Sequence, residues 1–347
     1  MKELTTVGLD LAKQLVQIYG EGTSGEVLVR KSVRAERVVE FFANRPPCVV
    51  GMEACAGAHA LARALTKQGH DVRIIAAQFV KPFRLGGKND LNDAQAICVA
   101  ARQPHMRFVR IKTEAQQAVL AMHTLRDGQM KMRTEVINRL RALLVEFGLS
   151  FAQSPAAAIK GARLALADER LSALVREAVA DCLDQVRDLD ERIARWDRQI
   201  AQHVRDEARA SRLRDTLCGV GPLTASAFAA SVPCALDFKC GRQFAAWLGL
   251  TPRQHSTGGK TRLGGLSKQG NGYLRTLLIQ GARSALQAAQ RAKAHSLTRL
   301  QRWMLDVYAR RGYHKTLAAI ANKQARLIWV LLTSDAPLRA HERVAQA

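Results

Sequence analysis

Eight apolar residues recur at alternating steps of four and three between residues 175 and 200. They are Val175, Val179, Cys182, Val186, Leu189, Ile193, Trp196 and Ile200. This heptad spacing predicts a long helix with one apolar seam that must pack against another helix. The partner helix could belong to the same chain, as a helical hairpin, or to a second chain. We favour a coiled coil between chains, because flanking charges leave the seam as the only apolar face.

The first hundred residues alternate short apolar runs with helical patterns, which predicts an α/β domain with a mixed sheet. Strands are expected at residues 5–10, 15–20, 25–30, 48–53 and 72–76. Helices are expected at residues 35–43 and 57–69, and from residue 91 past residue 101. The sequence therefore begins with a sheet whose order of elements is β-β-β-α-β-α-β-α.

The rest of the chain is expected to be mainly helical. A helix at residues 113–148 is followed by a small-residue loop at 150–161 and then by the heptad helix. Further helices are expected at residues 273–295 and 315–333, and the segment HSTGGKTRLGGLSKQGNG before them is predicted to be a flexible loop. We divide the chain into an α/β domain (1–110), a helical oligomerisation region (111–208) and a mainly α C-terminal domain (209–347).

The net charge of +23 is too large to be explained by solubility alone. It indicates a polyanionic partner, with nucleic acid as the first candidate and an anionic membrane surface as the second. Between Asp237 and Asp306 the sequence has twelve Lys or Arg and no acidic residue. This long basic stretch is predicted to form a surface for the phosphate backbone.

No apolar run approaches the roughly 20 residues that span a bilayer. The N-terminal sequence MKELTTVGLD has no signal-peptide core, so we expect a cytoplasmic protein. The seven cysteines are scattered without a CxxC pair. Reduced, packed thiols are therefore expected rather than a zinc site or a disulfide framework.

Four acidic residues stand out against this basic background. Asp10 and Glu53 end predicted strands, and Asp90 and Asp93 lie one turn apart where a helix begins. Asp90 could instead be a simple N-cap, with Asp93 favouring the helix dipole. If the four carboxylates meet, they need a cation to offset their repulsion, and oxygen ligands suit Mg²⁺ or Mn²⁺. Two such ions can clamp a phosphodiester.

The motifs VGLDLAK, VVGMEACAGAH and GGKNDLNDAQAI resemble the RNase H-like domain of the bacterial DEDD transposases, the insertion sequence 110 family. That domain is similar to the RuvC Holliday-junction resolvase. The segments LCGVGPLTASAFAA and FAAWLGLTPRQHSTGGKTRLGGLSKQGNGYLRTLL resemble the family's second conserved region, in the branch with the HSTGGK-type loop. The resemblance implies that Asp10, Glu53, Asp90 and Asp93 hold the catalytic metal ions.

The same resemblance implies a transposase or site-specific recombinase that moves its own insertion element by cutting and rejoining DNA. It further implies guidance by a structured noncoding (bridge) RNA. A serine in the HSTGGK region is expected to be the nucleophile. Ser256 is the first candidate, Thr257 the second and Ser267 the third, and His255 could assist. The alternative is a glycine-rich phosphate-binding loop with no covalent role.

Several residues of the C-terminal part are candidates for nucleic-acid contact. LCGVGPLTASA has a helix-hairpin-helix pattern, in which backbone N–H groups at Gly219 and Gly221 could meet a phosphate; the alternative is an ordinary helix-helix turn. Further phosphate contacts are expected from Arg253, Lys260, Arg262, Lys268 and Arg275. Asn271 is predicted to cap the helix that follows.

The heptads and the resemblance predict a dimer or tetramer associated with the nucleoid. One hypothesis is a composite site, with the acids from one subunit and the serine from another. Two other functions remain open. A structure-selective nuclease such as a junction resolvase would hydrolyse DNA without rejoining it, and a nucleic-acid-binding protein would do no chemistry.

Overall fold

The structure, a computed structural model, describes residues 3–85 and 90–334. The chain divides into two compact units, residues 1–114 and residues 115–347. The predicted helical middle region and the predicted C-terminal domain both lie within the second unit. No helix within the described ranges is long and apolar enough to cross a membrane.

Within the described residues of the first unit, six strands pair in the order β3-β2-β1-β4-β5-β6. The strands β1, β2 and β3 form an antiparallel meander, β4 and β5 run parallel to β1, and β6 is antiparallel to β5. The bounds are β1 (Leu4–Leu11), β2 (Leu15–Gly22), β3 (Val27–Arg34), β4 (Val49–Glu53), β5 (Asp71–Ile75) and β6 (Phe108–Val109). The expected mixed sheet is confirmed, and the short β6 is the strand that the sequence did not reveal.

The helices of this unit are α1 (Val38–Ala43), α2 (Ala58–Lys67), α3 (Ala77–Val80) and α4 (Asp90–Ala101). Short 3₁₀ turns at Ala35–Arg37 and Lys81–Phe83 precede α1 and follow α3. One sheet face packs against α1 and α2 around buried residues such as Val7, Leu9 and Phe42. On the other face α4 lies on the sheet, as expected for an α/β layer.

Two glycines set the distance between α4 and the sheet. A Cβ placed on Gly8 of β1 would lie 2.1 Å from the Ala94 carbonyl oxygen and 2.5 Å from the Cys98 nitrogen, both in α4. A Cβ on Gly51 of β4 would lie 2.7 Å from the Ala101 Cβ. Because these atoms belong mainly to the helix backbone and a short side chain, α4 can reach this position only against glycine.

The second unit is mainly helical, with one two-stranded hairpin. Its helices are α5 (Glu114–Glu146), α6 (Pro155–Ala165), α7 (Ala173–Asp206), α8 (Ala208–Thr216), α9 (Pro222–Ser231), α10 (Gly241–Trp247), α11 (Gly272–Arg291), α12 (Arg299–Arg311) and α13 (Tyr313–Thr333). The hairpin consists of β7 (Pro252–Thr257) and β8 (Lys260–Leu266). Helices α8 to α11 and α13 share one apolar core, which also includes Met304 of α12.

The heptad seam is buried inside the chain. Val179, Cys182, Val186 and Leu189 of α7 pack with apolar residues of α5 and α6. Two ion pairs, Arg126 with Asp197 and Arg133 with Asp190, join α5 to α7 in antiparallel register. The preference for a seam between chains was therefore wrong for this stretch, because α5 and α6 cover it. The oligomeric state itself stays a prediction.

Three other expectations need correction. Residues 150–161 were expected to be a loop, but α6 begins within them, with Ser154 accepting a hydrogen bond from the Ala157 N–H and Pro155 in the first turn. The HSTGGK segment forms a β-hairpin rather than a flexible loop. Helix α12 was missed because its charged residues obscure the apolar periodicity. Of the motif GGKNDLNDAQAI, residues 86–89 lie outside the described residues.

A buried polar network ties α5 and α7 to the rest of the second unit. His123 of α5 shares hydrogen bonds of 2.9 Å with the Tyr273 hydroxyl of α11 and the Ser226 hydroxyl of α9. Ser226 also shares one of 3.0 Å with Nδ1 of His203 in α7. Burial, with the nearby His203 and Arg126, lowers the pKa of His123 to about 4, and Asp197 acts in the opposite direction. The imidazole is therefore neutral at pH 7.

We expect Gly8→Ala to lower the free energy of unfolding by roughly 3 kcal/mol, since the added methyl group collides with the backbone of α4. Urea unfolding followed by circular dichroism measures this change. Gly128→Ala is the matched control, because a Cβ there meets nothing within 4 Å. In a helix interior that control should stabilise by about 0.5–1 kcal/mol. Equal stability of the Gly8→Ala variant and the wild type would contradict the close approach of α4.

The His123 network predicts acid sensitivity. The folded pKa of His123 lies below the ordinary 6.5, so the unfolded chain binds more protons between these two values. This contribution to stability is complete above pH 6.5 and is lost as the pH falls toward 4. It amounts to about 3 kcal/mol. Thermal unfolding across this range should show a smaller pH dependence for His123→Gln than for the wild type, and identical slopes would rule the network out as the source.

Candidate active site

Asp10 and Glu53 lie side by side at the carboxyl ends of two neighbouring parallel strands. The pairing of β1 with β4 ends at Leu9 opposite Met52, and Asp10 and Glu53 are the next residue on each strand. Side chains two residues apart share a sheet face. Asp10 therefore lies on the face of Gly8, and Glu53 on that of Gly51. Both carboxylates thus belong to the α4 side of the sheet.

Helix α4 brings Asp90 and Asp93 to the same end of the sheet. Gly51 of β4 lies against Ile97 and Ala101 of α4. Two residues further along β4, the negative charge of Asp93 raises the pKa of Glu53. The helix therefore runs antiparallel to β4 and begins near the carboxyl ends of β1 and β4. Asp93 is half-buried and Asp90 is exposed in the same first turn.

The electrostatics of Glu53 show that these acids interact. Burial raises the pKa of Glu53, and the negative charge of Asp93 raises it further, while Arg84 and Lys81 lower it. Arg84 Nη1 lies 3.2 Å from Asp93 Oδ1. An arginine thus neutralises part of the charge that the acids bring together.

Sequence reasoning missed three residues at this end of the sheet: Lys81, Arg84 and Cys55. The charges of Glu53 and Asp10 add to burial in raising the pKa of the exposed Cys55 thiol, which places both acids near that sulfur. The segment KPFR, which Leu85 separates from the Gly-Gly pair of GGKNDLNDAQAI, is the sequence signal that could have revealed the two cations.

Among residues 3–85 and 90–334, no three His, Cys, Asp or Glu side chains are grouped closely enough to hold one metal ion. The convergence of all four acids on shared ions therefore stays a prediction. The chemistry of the donors nevertheless fits a hard divalent cation, because carboxylate oxygens are its preferred ligands. The raised pKa of Glu53 shows that the site disfavours its own negative charge.

The hairpin of the second unit separates the two candidate nucleophiles. Ser256 pairs with Thr261 and Thr257 with Lys260, around a turn in which Gly258 and Gly259 have φ of 55° and 74°. Such a two-residue turn with positive φ fits the twist of antiparallel strands. Because neighbouring residues of a strand face opposite sides, Ser256 and Thr257 lie on different faces of the hairpin.

Each face of the hairpin has its own chemistry. Ser256 shares its face with Gln254, whose Nε2 donates a 2.8 Å hydrogen bond to the serine oxygen. Thr257 lies on the other face, together with His255, Lys260 and Arg262. His255 therefore points away from Ser256 and does not assist it within this hairpin. All of these side chains are exposed.

The base of the hairpin is held firmly. Lys268 has a φ of 55°, and its N–H donates to the Gly249 carbonyl at 3.2 Å. Arg275 donates from one guanidinium nitrogen to the carbonyls of Leu248 and Gln269. Asn271 caps α11 by accepting from the Leu274 N–H, which confirms that prediction. The predicted phosphate contact Arg275 thus has a bracing role, whereas Lys268 is exposed and Arg253 donates to the Ser267 carbonyl.

The two glycines of the helix-hairpin-helix pattern differ. A Cβ on Gly219 would lie 2.4 Å from the Gly281 carbonyl oxygen of α11, so this position is explained by close packing within the unit. Gly221 is exposed, precedes α9 and has open space around its Cα. The packing of Gly219 does not test its predicted N–H contact, so phosphate binding by both glycines stays a prediction.

Two family models match the chain. One, described as a transposase with a DEDD domain of the IS110 type, matches residues 7–148, and the other, described as the transposase IS116/IS110/IS902 family, matches residues 211–297. A probable family 20 transposase of Pseudomonas aeruginosa is 46% identical over 335 residues, which cover 96% of this chain and 98% of the relative. The chain belongs to the IS116/IS110/IS902 family of transposases.

Further relatives agree with this assignment. The transposase for insertion sequence element IS1328 of Yersinia enterocolitica is 37% identical and covers 96% of this chain and 98% of its own length. The transposase for insertion sequence element IS1111A of Coxiella burnetii is 37% identical, covering 98% of this chain and 92% of its own length. The transposase is thus an enzyme that cuts and joins DNA, and a DEDD domain implies dependence on a divalent metal.

For this transposase we expect Glu53→Gln to raise the melting temperature of the metal-free protein, because it removes a carboxylate whose ionised form burial and Asp93 disfavour. The same substitution should reduce metal-dependent DNA cleavage more than about 100-fold, since losing even outer-shell partners of a metal costs about 10–100-fold. Calorimetry without and with Mg²⁺, paired with a cleavage assay, checks both effects. Glu191→Gln, at an exposed carboxylate of α7, is the control. A Glu53→Gln variant that is less stable, and still cleaves DNA, would contradict the assignment.

Proposed function

We propose that this transposase cuts and rejoins the ends of its own insertion element with two kinds of catalytic group. Asp10, Glu53, Asp90 and Asp93 would hold Mg²⁺ or Mn²⁺, and Ser256 would be the nucleophile. The observation that carries the proposal is the placement of Asp10 and Glu53 on adjacent parallel strands, with the charge of Asp93 acting on Glu53. The strand order, a three-stranded antiparallel meander followed by parallel strands, supports an RNase H-like domain related to RuvC.

The acids on the α4 side of the sheet would hold the cation that acts on the scissile phosphate. A bound divalent cation supplies Lewis-acid stabilisation of the charge that develops on the phosphate oxygens. Arg84 lies 3.2 Å from Asp93, and a bound cation would compete with this arginine for the carboxylate. Burial and Asp93 disfavour the ionised form of Glu53, so Glu53 gains most from a neighbouring cation.

Ser256 would exchange one phosphate ester for another. Its oxygen forms a bond to phosphorus while the bond from phosphorus to a deoxyribose oxygen breaks. The hydroxyl proton leaves, and the departing sugar oxygen takes up a proton. Rejoining reverses this step with the sugar hydroxyl of another strand as attacker. Since the number of phosphate ester bonds is unchanged, no external energy source is needed.

The hairpin geometry supports Ser256 over Thr257. The Gln254 amide occupies one lone pair of the serine oxygen and orients the hydroxyl, whereas Thr257 has cationic neighbours on its face. Lys260 and Arg262 would hold flanking phosphates from that second face. Ser267, the third candidate, lies at the anchored base of the hairpin, where its N–H donates to the Thr251 carbonyl.

The remaining parts of the proposal concern partners. The net charge of +23 fits both DNA and a structured guide RNA. A dimer or tetramer, with the acids of one subunit working with the serine of another, stays a proposal for which the family assignment is the support. The predicted phosphate contacts all stay proposals: Gly221, Arg253, Lys260, Arg262 and Lys268 are exposed, and Gly219 and Arg275 also make contacts within the unit.

We expect Ser256→Ala to reduce strand joining by at least about 10³-fold and to abolish a covalent protein–DNA adduct, because it removes the attacking oxygen. Thr257→Ala, the matched control on the other hairpin face, should stay within about tenfold of the wild type. Labelled element-end DNA on denaturing gels measures the adduct and the joined product. Loss of the adduct in Thr257→Ala alone would make Thr257 the nucleophile, and metal-dependent hydrolysis by Ser256→Ala at the wild-type rate would identify a nuclease.

A further inference from the structure

A cationic groove lies at the outer edge of the sheet in the first unit. It has a volume of about 870 Å³ and is formed by β3, α1 and the turn between them. Four cations line it, Lys31, Arg34, Arg37 and Arg45, against one carboxylate, Glu40. We call this cavity the β3 groove.

An aromatic ring organises two of these cations. The Lys31 ammonium lies 4.5 Å from the centroid of the Phe41 ring, and the Arg45 guanidinium carbon lies 4.1 Å from it. Arg45 also donates from Nε to the Phe41 carbonyl at 3.0 Å. Cation–π contacts fix the positions of charges that would otherwise move freely in water. The β3 groove therefore presents prearranged cations rather than scattered surface charges.

The acids nearby do little to neutralise the groove. The Arg34–Glu36 pair is 3.8 Å apart, and its side chains are 74% and 72% exposed. Exposed pairs of this kind contribute little and leave the cation available. Arg37, in the 3₁₀ turn before α1, is exposed as well. An anion entering the β3 groove would meet an excess of positive charge.

The β3 groove is separate from the acidic site. Lys31 and Val33 of β3 pair with Ile18 and Val16 of β2, which belong to the core on the α1 side of the sheet. Asp10 and Glu53 lie on the α4 side. A phosphate bound in the groove is therefore not the phosphate held by the acids.

We propose that the β3 groove binds the phosphodiester backbone of a nucleic-acid segment other than the one being cut. The anion must be extended, because the four cations are distributed over β3, the 3₁₀ turn before α1 and the segment after α1, rather than gathered around a single phosphate. Ammonium and guanidinium groups bind the phosphate charge whatever the sugar. The ligand is therefore a phosphodiester backbone, which duplex DNA and folded RNA have in common. The inference rests on the proposed function only in taking nucleic acid as the partner.

The test is the salt dependence of binding by the full chain in EDTA, where no metal-dependent cleavage interferes. The probes are a 30-base-pair DNA duplex and an RNA hairpin of matched length. For Lys31→Ala/Arg37→Ala, the slope of log K against log salt should fall by about 2 on the probe that the groove binds, because each phosphate contact contributes about 0.9 on duplex DNA. The control Lys67→Ala/Arg107→Ala removes the same charges from exposed sites outside the groove and should leave both slopes within error.

A reduced slope on DNA alone or on RNA alone supports the groove and identifies its ligand, and a reduction on both supports a backbone contact common to the two. Lys31→Arg/Arg37→Lys keeps the charges and should restore the slope, which separates loss of binding from misfolding. Unchanged slopes on both probes overturn the proposal and leave the lysine and arginines as charges that protect the edge strand from pairing. That result would leave the metal and serine proposals intact, since these are tested by cleavage and by the covalent adduct.

Discussion

The close approach of α4 to the sheet is the constraint on which the first unit depends. It exists because Gly8 and Gly51 leave no side chain between the helix and strands β1 and β4. The same strands continue by two residues to Asp10 and Glu53, so the glycines and the acids share one face. Replacing either glycine by a residue with a side chain would move the first turn of α4, and with it Asp93, away from Glu53. The two-residue period of the strand therefore links the packing of α4 to the placement of the proposed metal ligands.

The acidic site is electrostatically costly when it holds no cation. Burial and Asp93 both act against the ionised form of Glu53, and Arg84 offsets part of that repulsion through Asp93. Such an arrangement destabilises the fold, and the proposed binding of a cation would offset that cost, as is usual where stability and function compete. The large positive charge elsewhere in the chain then serves the nucleic acid and not the metal.

Sequence patterns predicted helices and strands well where the apolar period and the residues at the ends of the element indicated the same structure. The strands of the meander, the heptad helix and the Asn271 cap followed from their own residues. Patterns failed where the answer depended on a partner in space: the seam of α7 has the same sequence whether α5 or a second chain covers it. Pro155 was treated as a loop signal, although proline in a first turn starts helices. Lys81 and Arg84 were missed because their role depends on a tertiary contact.

The two faces of the β-hairpin have different chemistry, although they come from one short motif. In the sequence, His255, Ser256 and Thr257 are neighbours and look interchangeable. In a strand they alternate, so one face holds a hydroxyl beside an amide and the other holds a hydroxyl among cations. Anchoring of the hairpin base by Arg275 and Lys268 keeps these faces fixed relative to the core. A segment predicted to be a flexible loop is thus a two-sided β-hairpin, and in the proposed mechanism the face that meets the phosphate determines which hydroxyl would react.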